Sequence, residues 1–268
     1  MSDARAPIGV FDSGIGGLTV VRELARQLPC EELVYFGDTA RVPYGPKSPD
    51  TVRRYADEIT SWLVDQGVKA VVVACNTATA HALPVLRASF QVPVIGVVEP
   101  GARAAARATS TGRVGIIGTA GTIASGAYER ALRAIAPETH VFSQACPLFV
   151  PLVEEGWGDT DVARLVAREY LAPLASERID TLVLGCTHYP LLKPLLADVV
   201  GRAVRLIDSA EETAAETRLV LEARGLLATR PAAPAHRFVA SDAPGHFLAL
   251  GQRFLGATIE RVEKLTLG

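Results

Sequence analysis

Short apolar runs alternate with longer mixed segments along most of the chain. The mixed segments are rich in Ala, Leu and Arg, and three of them, Pro49–Gln66, Tyr128–Ala136 and Thr160–Ala175, are long enough for helices. Near-continuous apolar strands separated by helices are typical of parallel sheets that are covered on both faces. The pattern predicts an α/β protein with strands at Ile8–Phe11, Leu33–Phe36, Ala70–Ala74, Val94–Val97, Val114–Ile117, His140–Ser143, Thr181–Leu184 and Val204–Ile207.

Two pairs of segments resemble each other within the chain. Ile8–Gly14 and Val114–Ala120 are each an apolar strand followed by a turn with glycine and hydroxyl-bearing residues. Val71–Thr77 and Leu182–His188, about sixty residues further on, each contain an apolar strand, a small residue, a cysteine and polar residues. This similarity indicates two halves of like topology, although the strand ends of any two unrelated α/β domains share such features.

A domain division follows if the two halves are real. The first domain then begins at residue 1 and the second near Pro100. From Asp208 the sequence predicts a helix, a polar Pro-rich break at Thr229–Pro234, and a strand–helix–strand unit that returns to complete the first domain. We therefore expect residues 1–98 with 208–268 in the first α/β domain and residues 99–207 in the second.

Composition and charge exclude several classes of protein. The 268 residues are 49% hydrophobic, which is enough for a packed core, and Lys plus Arg (27) nearly balances Asp plus Glu (29). Neither a basic stripe nor a cationic tail points to nucleic acid or an anionic membrane as a partner. The first seven residues lack an apolar signal core, and no segment approaches the length of a membrane span, so we expect a cytoplasmic protein.

Four turns at predicted strand ends carry polar residues, and ligands of open α/β sheets collect at such carboxyl ends. The turns are Asp12–Gly17, Gly37–Thr39, Cys75–Thr77 and Cys186–His188. The first is not a dinucleotide fingerprint, because Gly14 and Gly16 would require a third glycine where Thr19 stands. Its glycine-rich backbone still offers N–H groups to an anion such as a carboxylate.

Four cysteines in a cytoplasmic chain raise the question of metal binding or catalysis before that of disulfides. Cys75 and Cys186 each follow a buried-looking strand and are predicted to precede a helix, whose N-terminus stabilises a thiolate and allows the thiol to act as a base near neutral pH. Either one alone is more often an inert residue packed at a strand end, but the shared setting favours chemistry. Cys30 and Cys146 lack that setting, and we interpret them as structural.

Two further residues are placed to assist the thiols. His188 lies two residues after Cys186 and could exchange a proton with it or orient a substrate. Asp12 could play the parallel part for Cys75 if the first and third strands are neighbours. Three alternatives stay open: a metal site formed by Cys75, Cys186 and His188, a cysteine hydrolase, and an amino-acid binding protein without catalysis. The metal site lacks the close C-x-x-C spacing of zinc sites.

Several segments in a fixed order carry a family resemblance. They are Val10–Leu18, Gly37–Thr39 with Pro43–Gly45, Ala74–Thr77 and Leu184–Leu191, supported by Gly115–Thr119, Cys146–Pro151 with Glu154–Gly156, and Asp208–Thr213. Together they resemble the glutamate racemases of the cofactor-independent aspartate/glutamate racemase family. The segments cover nearly the whole chain, and their combination is specific although the short ones are weak singly. Thr77 keeps the hydroxyl group where some members carry serine.

The resemblance implies a fold and a set of roles. It implies two pseudo-symmetric, doubly wound domains with parallel sheets, one active site in the cleft between them, and no cofactor or metal. Cys75 and Cys186 would be the acid/base pair, with Asp12, His188 and Glu154 (chosen over Glu155) as assisting residues. The substrate-binding residues would be Asp12, Ser13, Tyr44, Gly45, Asn76, Thr77, Thr119, Thr187 and His188.

The same resemblance implies the reaction and its setting. A racemase must remove the Cα proton of an amino acid from one face and return a proton to the other, and two thiols meet that need as one thiolate and one thiol. The implied substrate is glutamate, and the D-glutamate would serve peptidoglycan synthesis and hence the cell wall and cell shape. Aspartate or another amino acid is the alternative substrate. A homodimer is the expected assembly.

Overall fold

The computed structural model describes residues 3–229, 234–256 and 259–267, in which the chain forms two separate sheets. The strands in these ranges are β1 Ile8–Asp12, β2 Leu33–Gly37, β3 Ala70–Val73, β4 Val94–Gly96, β5 Arg113–Gly118, β6 His140–Ala145, β7 Thr181–Gly185, β8 Arg205–Asp208, β9 Arg237–Ala240 and β10 Glu263–Lys264. The helices are α1 Leu18–Gln27, α2 Pro49–Asp65, α3 Asn76–Ser89, α4 Val98–Ala108, α5 Ala120–Ala124, α6 Ala127–Ile135, α7 Phe149–Glu154, α8 Asp161–Ser176, α9 Lys193–Val200, α10 Ser209–Ala223 and α11 Pro244–Leu255, with a one-turn 3₁₀ helix at Tyr189–Leu192. The predicted strands and the three predicted helices named above are confirmed.

Both sheets are parallel and covered by helices. Every residue of β1, β2, β3 and β7 is buried, which explains the unbroken apolar runs of the sequence. Alternate residues of β3 enter different cores, because successive side chains of a strand point to opposite faces: Val72 packs in one core, and Val71 and Val73 pack in the other. The predicted α/β class with parallel sheets is confirmed. Within the described ranges no helix combines the length and the apolar content that crossing a bilayer requires.

The two sheets repeat one strand order. In the first sheet the order includes β2-β1-β3-β4, and in the second it is β6-β5-β7-β8. In each half the strand that comes first in sequence therefore lies between the second and the third. The predicted likeness of the two halves is confirmed. The prediction that the first and third strands are neighbours is also confirmed, since Phe11 of β1 pairs with Val73 of β3.

The end of the chain returns to the first sheet. The predicted strand–helix–strand unit is present as β9, α11 and β10, and β9 pairs with β2, with Tyr35 opposite Phe238. Of the predicted break at Thr229–Pro234, residues 230–233 lie outside the described residues. The first sheet thus draws strands from residues 8–96 and 237–264, and the second from residues 113–208. The exact domain limits stay a prediction.

Two helices carry the chain between the sheets. α4 leads from β4 of the first sheet to β5 of the second, and α10 leads back from β8 towards β9. The two helices are joined by ion pairs of Arg103 with Glu216 and of Arg107 with Glu212, each with an N–O distance of 2.6 Å. This side-by-side arrangement holds the two halves so that residues following their strands meet each other.

Candidate active site

Residues at the carboxyl ends of strands from both sheets meet at one interface. Thr77, after β3, and Thr119, after β5, have their hydroxyl oxygens 2.8 Å apart. Asp12, at the end of β1, accepts a hydrogen bond of 3.4 Å from the Thr187 hydroxyl, and the Thr19 hydroxyl donates to the carbonyl of Thr187 at 3.0 Å. The structure therefore brings together predicted site residues from both halves.

Cys75 lies at the N-terminus of a helix, as the sequence predicted. It is the N-cap of α3, where its Sγ accepts the backbone N–H of Ala78 at 3.4 Å and lies 3.7 Å from the hydroxyl oxygen of Ser13. The side chain is nearly enclosed, because the residue is 5% exposed. The thiol is therefore held in place by contacts from β1, β3 and α3.

The acidity of Cys75 differs from the expectation. Burial raises its pKa to about 12, and the negative charge of Asp12 adds to the rise, whereas the N–H of Ala78 and the Ser13 hydroxyl, as donors to the thiolate, lower it by less. The predicted lowering of this pKa by the helix N-terminus is therefore wrong, because removal from water and a neighbouring carboxylate outweigh the helix dipole. Cys75 therefore holds its proton at neutral pH.

Cys186 follows β7 in a different local structure. The N–H of Tyr189 donates to the carbonyl of Cys186 at 3.1 Å, and a one-turn 3₁₀ helix precedes α9. The prediction that this thiol stands at the start of a helix like that of Cys75 is thus wrong, because the chain makes a tight turn first. Cys186 is 6% exposed, and its Sγ lies 3.8 Å from Nδ1 of His188.

His188 joins Cys186 to a carboxylate. Its Nε2 lies 2.8 Å from Oε1 of Glu154, and its ring packs edge-on against Phe254 with the ring centres 5.2 Å apart. Burial lowers the pKa of His188, but the hydrogen bonds to Cys186 and Glu154 and the charges of both outweigh burial and raise it to about 10. The imidazole can therefore hold a proton beside Cys186, and the preference for Glu154 over Glu155 corresponds to a direct contact.

The charge of Cys186 affects the pKa of neighbouring thiols, including that of Cys75. A charge on Cys186 adds to the rise in the pKa of Cys75 and also raises the pKa of the enclosed thiol of Cys146, in both cases after burial. Two buried thiolates would repel each other, so the pair holds one negative charge at most near neutral pH. The imidazole of His188, which can hold a proton, lies beside the Sγ of Cys186.

Asp12 organises the glycine turn between the halves. Its Oδ2 accepts the N–H of Gly14 at 3.0 Å, while its Oδ1 accepts the Thr187 hydroxyl. Burial raises the pKa of Asp12, and the charge of His188 and the N–H groups of Gly17 and Gly14 counter that rise. Asp12 forms no hydrogen bond with Cys75 among the contacts of the described residues, so it acts on that thiol through its charge.

Gly16 occupies the closest approach of the glycine turn to the second half. A Cβ on this residue would lie 2.4 Å from both Nδ1 of His188 and the hydroxyl oxygen of Thr187. Such a contact is too short to persist, so any side chain at this position must displace the turn or His188. The run of glycines in the sequence indicates a close approach of the backbone to other atoms. It does not show that Thr187 and His188 are the residues opposite Gly16.

We expect Gly16→Ala to lower kcat/KM by about 10²-fold while the protein stays folded, because a displacement of about 1 Å in a site can have that effect. Steady-state kinetics together with a thermal melt would measure it. Gly245→Ala is the matched control, because a Cβ there meets no heavy atom of the described residues within 4 Å. An unchanged kcat/KM in Gly16→Ala would contradict the tight contact.

A second expected result concerns the proton on His188. The pKa of this residue rises from 6.5 to about 10 on folding, so protonation of His188 stabilises the fold fully below pH 6.5, and that contribution is lost as the pH rises through about 10. We expect its NMR ring signal to titrate near pH 10 in the wild type and at a lower pH in Glu154→Gln. Assignment would come from His188→Gln, and a wild-type titration near 6.5 would contradict the contact with Glu154.

Several of the predicted substrate-binding residues form hydrogen bonds where the two halves meet. The Thr77 and Thr119 hydroxyls lie together with that of Thr122, which is 2.9 Å from Thr119. Gly45 presents its carbonyl to the N–H of Gly121 at 2.9 Å and so links the halves. The Tyr44 hydroxyl donates to the carboxylate of Asp38, and the predicted role of Tyr44 in substrate binding stays a prediction.

Sequence reasoning missed some residues that support the site. Tyr128 of α6 donates its hydroxyl to Oδ1 of Asn76 at 2.7 Å, and Tyr35 donates to the carbonyl of Gly14 at 2.8 Å. Phe254 comes from α11, far along the chain from His188. None of these has a local motif, and only the pairing of distant elements could have found them.

The metal-site alternative has no supporting geometry. Among residues 3–229, 234–256 and 259–267 no three His, Cys, Asp or Glu side chains are grouped as ligands of one ion. The imidazole of His188 instead contacts Glu154 and Cys186. One thiol from each of two like halves, with an imidazole–carboxylate pair beside one of them, is an arrangement suited to two-base proton transfer.

Comparisons with known proteins assign the chain to a family. Residues 8–217 match the sequence model of the Asp/Glu/hydantoin racemase family. The chain is 54% identical over 260 residues to a glutamate racemase of Geobacter metallireducens, covering 97% of this chain and 96% of the other. Crystal structures of glutamate racemases from Bacillus anthracis (44% identity, TM-score 0.94) and from Francisella tularensis in complex with D-glutamate (39% identity, TM-score 0.92) each match over 98% of both chains. The chain belongs to the Asp/Glu/hydantoin racemase family.

Proposed function

We propose that this protein interconverts L-glutamate and D-glutamate without a cofactor, with the thiolate of one of Cys75 and Cys186 removing the Cα proton and the thiol of the other returning a proton to the opposite face. The observation that carries the proposal is the origin of the thiols: one follows β3 of the first sheet, and the other follows β7 of the second. The relatives matched over nearly their whole length are glutamate racemases, and the Francisella tularensis structure holds D-glutamate. Both findings support glutamate as the substrate.

The two bases have separate tasks. A base on one face of a fixed carbon cannot return a proton to the other face, so one group abstracts and the other donates. Cys186, next to the proton on His188, is suited to carry the thiolate, and Cys75 with its raised pKa is suited to carry the proton that is delivered. For the opposite enantiomer the roles are exchanged, and the proton then passes from Cys186 towards Cys75.

The negative charge that develops on the substrate needs preorganised donors. Hydroxyl groups of Ser13, Thr77 and Thr187 and the amide of Asn76 lie at the interface, next to the backbone N–H groups of the glycine turn. Both thiols are largely enclosed, at 5% and 6% exposure, so charges there are stabilised by fixed groups rather than by water. Proton transfer by positioned thiols adds roughly 10²- to 10⁴-fold.

The setting of the reaction completes the proposal. D-Glutamate made in the cytoplasm would supply peptidoglycan synthesis and thus the cell wall and cell shape. Location in the cytoplasm and assembly as a homodimer stay predictions. Sedimentation of the purified protein would measure its assembly.

The test follows the Cα hydrogen. Purified protein is incubated separately with L-glutamate and L-aspartate in D₂O, without added cofactor, and optical rotation and Cα deuterium are recorded. We expect glutamate to lose its rotation and to gain deuterium, and Cys75→Ala to leave the rotation unchanged under the same conditions. Exchange with aspartate alone would contradict the choice of substrate, and no exchange with either would contradict racemisation.

A further inference from the structure

Only the oxygen of the Asn76 side-chain amide has a hydrogen-bond partner among the described residues. Asn76 begins α3 directly after Cys75 and is 2% exposed. Its Oδ1 accepts the hydroxyl of Tyr128 at 2.7 Å, whereas its Nδ2 is enclosed and has no hydrogen-bond partner among the described residues. A buried donor without a partner is unfavourable and rare in proteins, so this amide group is suited to an acceptor supplied from outside the chain.

Tyr128 determines which end of the amide faces the site. The two ends of an asparagine amide have nearly the same shape, so a neighbouring group must distinguish oxygen from nitrogen. The Tyr128 hydroxyl has one proton to donate, and its oxygen lies 2.7 Å from Oδ1 of Asn76. The Tyr128 proton is therefore directed to Oδ1 of Asn76, and Nδ2 is left for a ligand.

The opposite orientation of the amide would oppose binding. With Oδ1 turned into the site, the amide would present a partial negative charge to a substrate carboxylate, and the two would repel each other. With Nδ2 turned into the site, the same carboxylate accepts a hydrogen bond. The Tyr128 ring is itself fixed, because it is 2% exposed and packs against Gly101, whose added Cβ would lie 3.3 Å from the Tyr128 hydroxyl oxygen.

Tyr128 also reaches across the two halves. It belongs to α6, which follows β5 of the second sheet, whereas Asn76 follows β3 of the first. The correct amide orientation is therefore available only while α6 lies against the start of α3. A substrate that needs Nδ2 of Asn76 thus binds best when the two halves are together.

We propose that Tyr128 is a positioning residue that holds the Asn76 amide with Nδ2 towards a carboxylate of the substrate. This inference rests on the proposed function, because it takes a dicarboxylic amino acid as the ligand. Tyr128 does not touch the substrate in this arrangement. Its whole effect on the reaction passes through Asn76.

The test is a double-mutant cycle on Tyr128 and Asn76. We expect Tyr128→Phe to lower kcat/KM for glutamate by about tenfold, chiefly through KM, because one charge-assisted hydrogen bond to the substrate is weakened. In an Asn76→Ala background the same change should alter kcat/KM by less than about twofold, since residues in one hydrogen-bond network are not additive. Tyr170→Phe, which removes a hydroxyl that accepts from the N–H of Leu148, is the matched control.

Several outcomes would overturn the role of Tyr128. An unchanged KM in Tyr128→Phe is one, and a full tenfold effect that persists without the Asn76 amide is another. Thermal melts separate a general loss of structure, because a structural role would lower the melting temperature with or without Asn76. A wild-type protein that fails to exchange the Cα hydrogen of glutamate would instead contradict the proposed function itself.

Discussion

Alanine in place of Cys75 is expected to abolish racemisation, with kcat/KM for glutamate lower by about 10³-fold or more. The reason is geometric. The thiol is held at the start of α3 by contacts with Ala78 and Ser13. It also lies close enough to Asp12 for the charge of that residue to act on it. Without it, one face of the substrate carbon has no group that can donate or accept the proton. The measurement is the change of optical rotation from either enantiomer.

Cys186→Ala should fail in the same way but from the other face. Each single variant keeps one base, so each should still exchange the Cα hydrogen of one enantiomer slowly in D₂O without inverting it, and the two variants should prefer opposite enantiomers. Cys30→Ala is the control, because that partly exposed thiol lies outside the interface. Near wild-type racemisation by either single variant would contradict the two-base mechanism.

A thermodynamic condition applies to every variant of this site. The two enantiomers have equal free energy in water, so the equilibrium constant of racemisation is one. The ratio kcat/KM must therefore fall equally in both directions, whichever thiol or assisting residue is changed. Only its division between kcat and KM can differ, and that division reports which half of the site was altered.

Asp12→Asn is expected to have the next largest effect, lowering kcat/KM by about 10²-fold while making Cys75 more acidic. The carboxylate orders the glycine turn through Gly14 and the interface through Thr187, and an amide preserves only part of this. Its negative charge also raises the pKa of Cys75, so its removal lowers that pKa from about 12. In Asp12→Asn, kcat/KM should therefore fall while the acidity of the Cys75 thiol rises.

The rate of alkylation of Cys75 as a function of pH would measure this acidity. In Asp12→Asn the reaction should begin at a lower pH than in the wild type, with Cys186→Ala as the background so that one site thiol reacts. Asp198→Asn removes the same charge from a side chain that is 68% exposed, and it is the matched control. An alkylation profile of Asp12→Asn that overlays the wild type would show that the charge of Asp12 does not reach the thiol.

The fold was largely predictable from the sequence because the central strands of both sheets are buried on two faces. Such strands are apolar throughout, as β3 is, or after a single polar residue, as β7 is after Thr181, and they end at a recognisable polar turn. The likeness of the turns at Cys75 and Cys186 was enough to indicate two similar halves. The same likeness gave a wrong prediction for the local structure at Cys186, because the chain after this residue makes a 3₁₀ turn before its helix.

The remainder of the site depends on contacts between distant parts of the chain. The pKa of Cys75 follows from enclosure and from Asp12, and neither is encoded beside the cysteine. The pairing of Tyr128 with Asn76 joins residues 52 positions apart, and Phe254 reaches His188 from the last helix. Local patterns identify which residues can do chemistry, whereas packing determines their protonation and orientation.

The repeated order β2-β1-β3-β4 and β6-β5-β7-β8 also has a genealogical consequence. It is the pattern that duplication and fusion of a half-length ancestor would leave. Two identical copies of such an ancestor, related by rotation, would have offered the same thiol to both sides of a substrate carbon, so indifference to handedness would predate the fusion. After such a fusion each copy could diverge, and that would account for the different surroundings of Cys75 and Cys186.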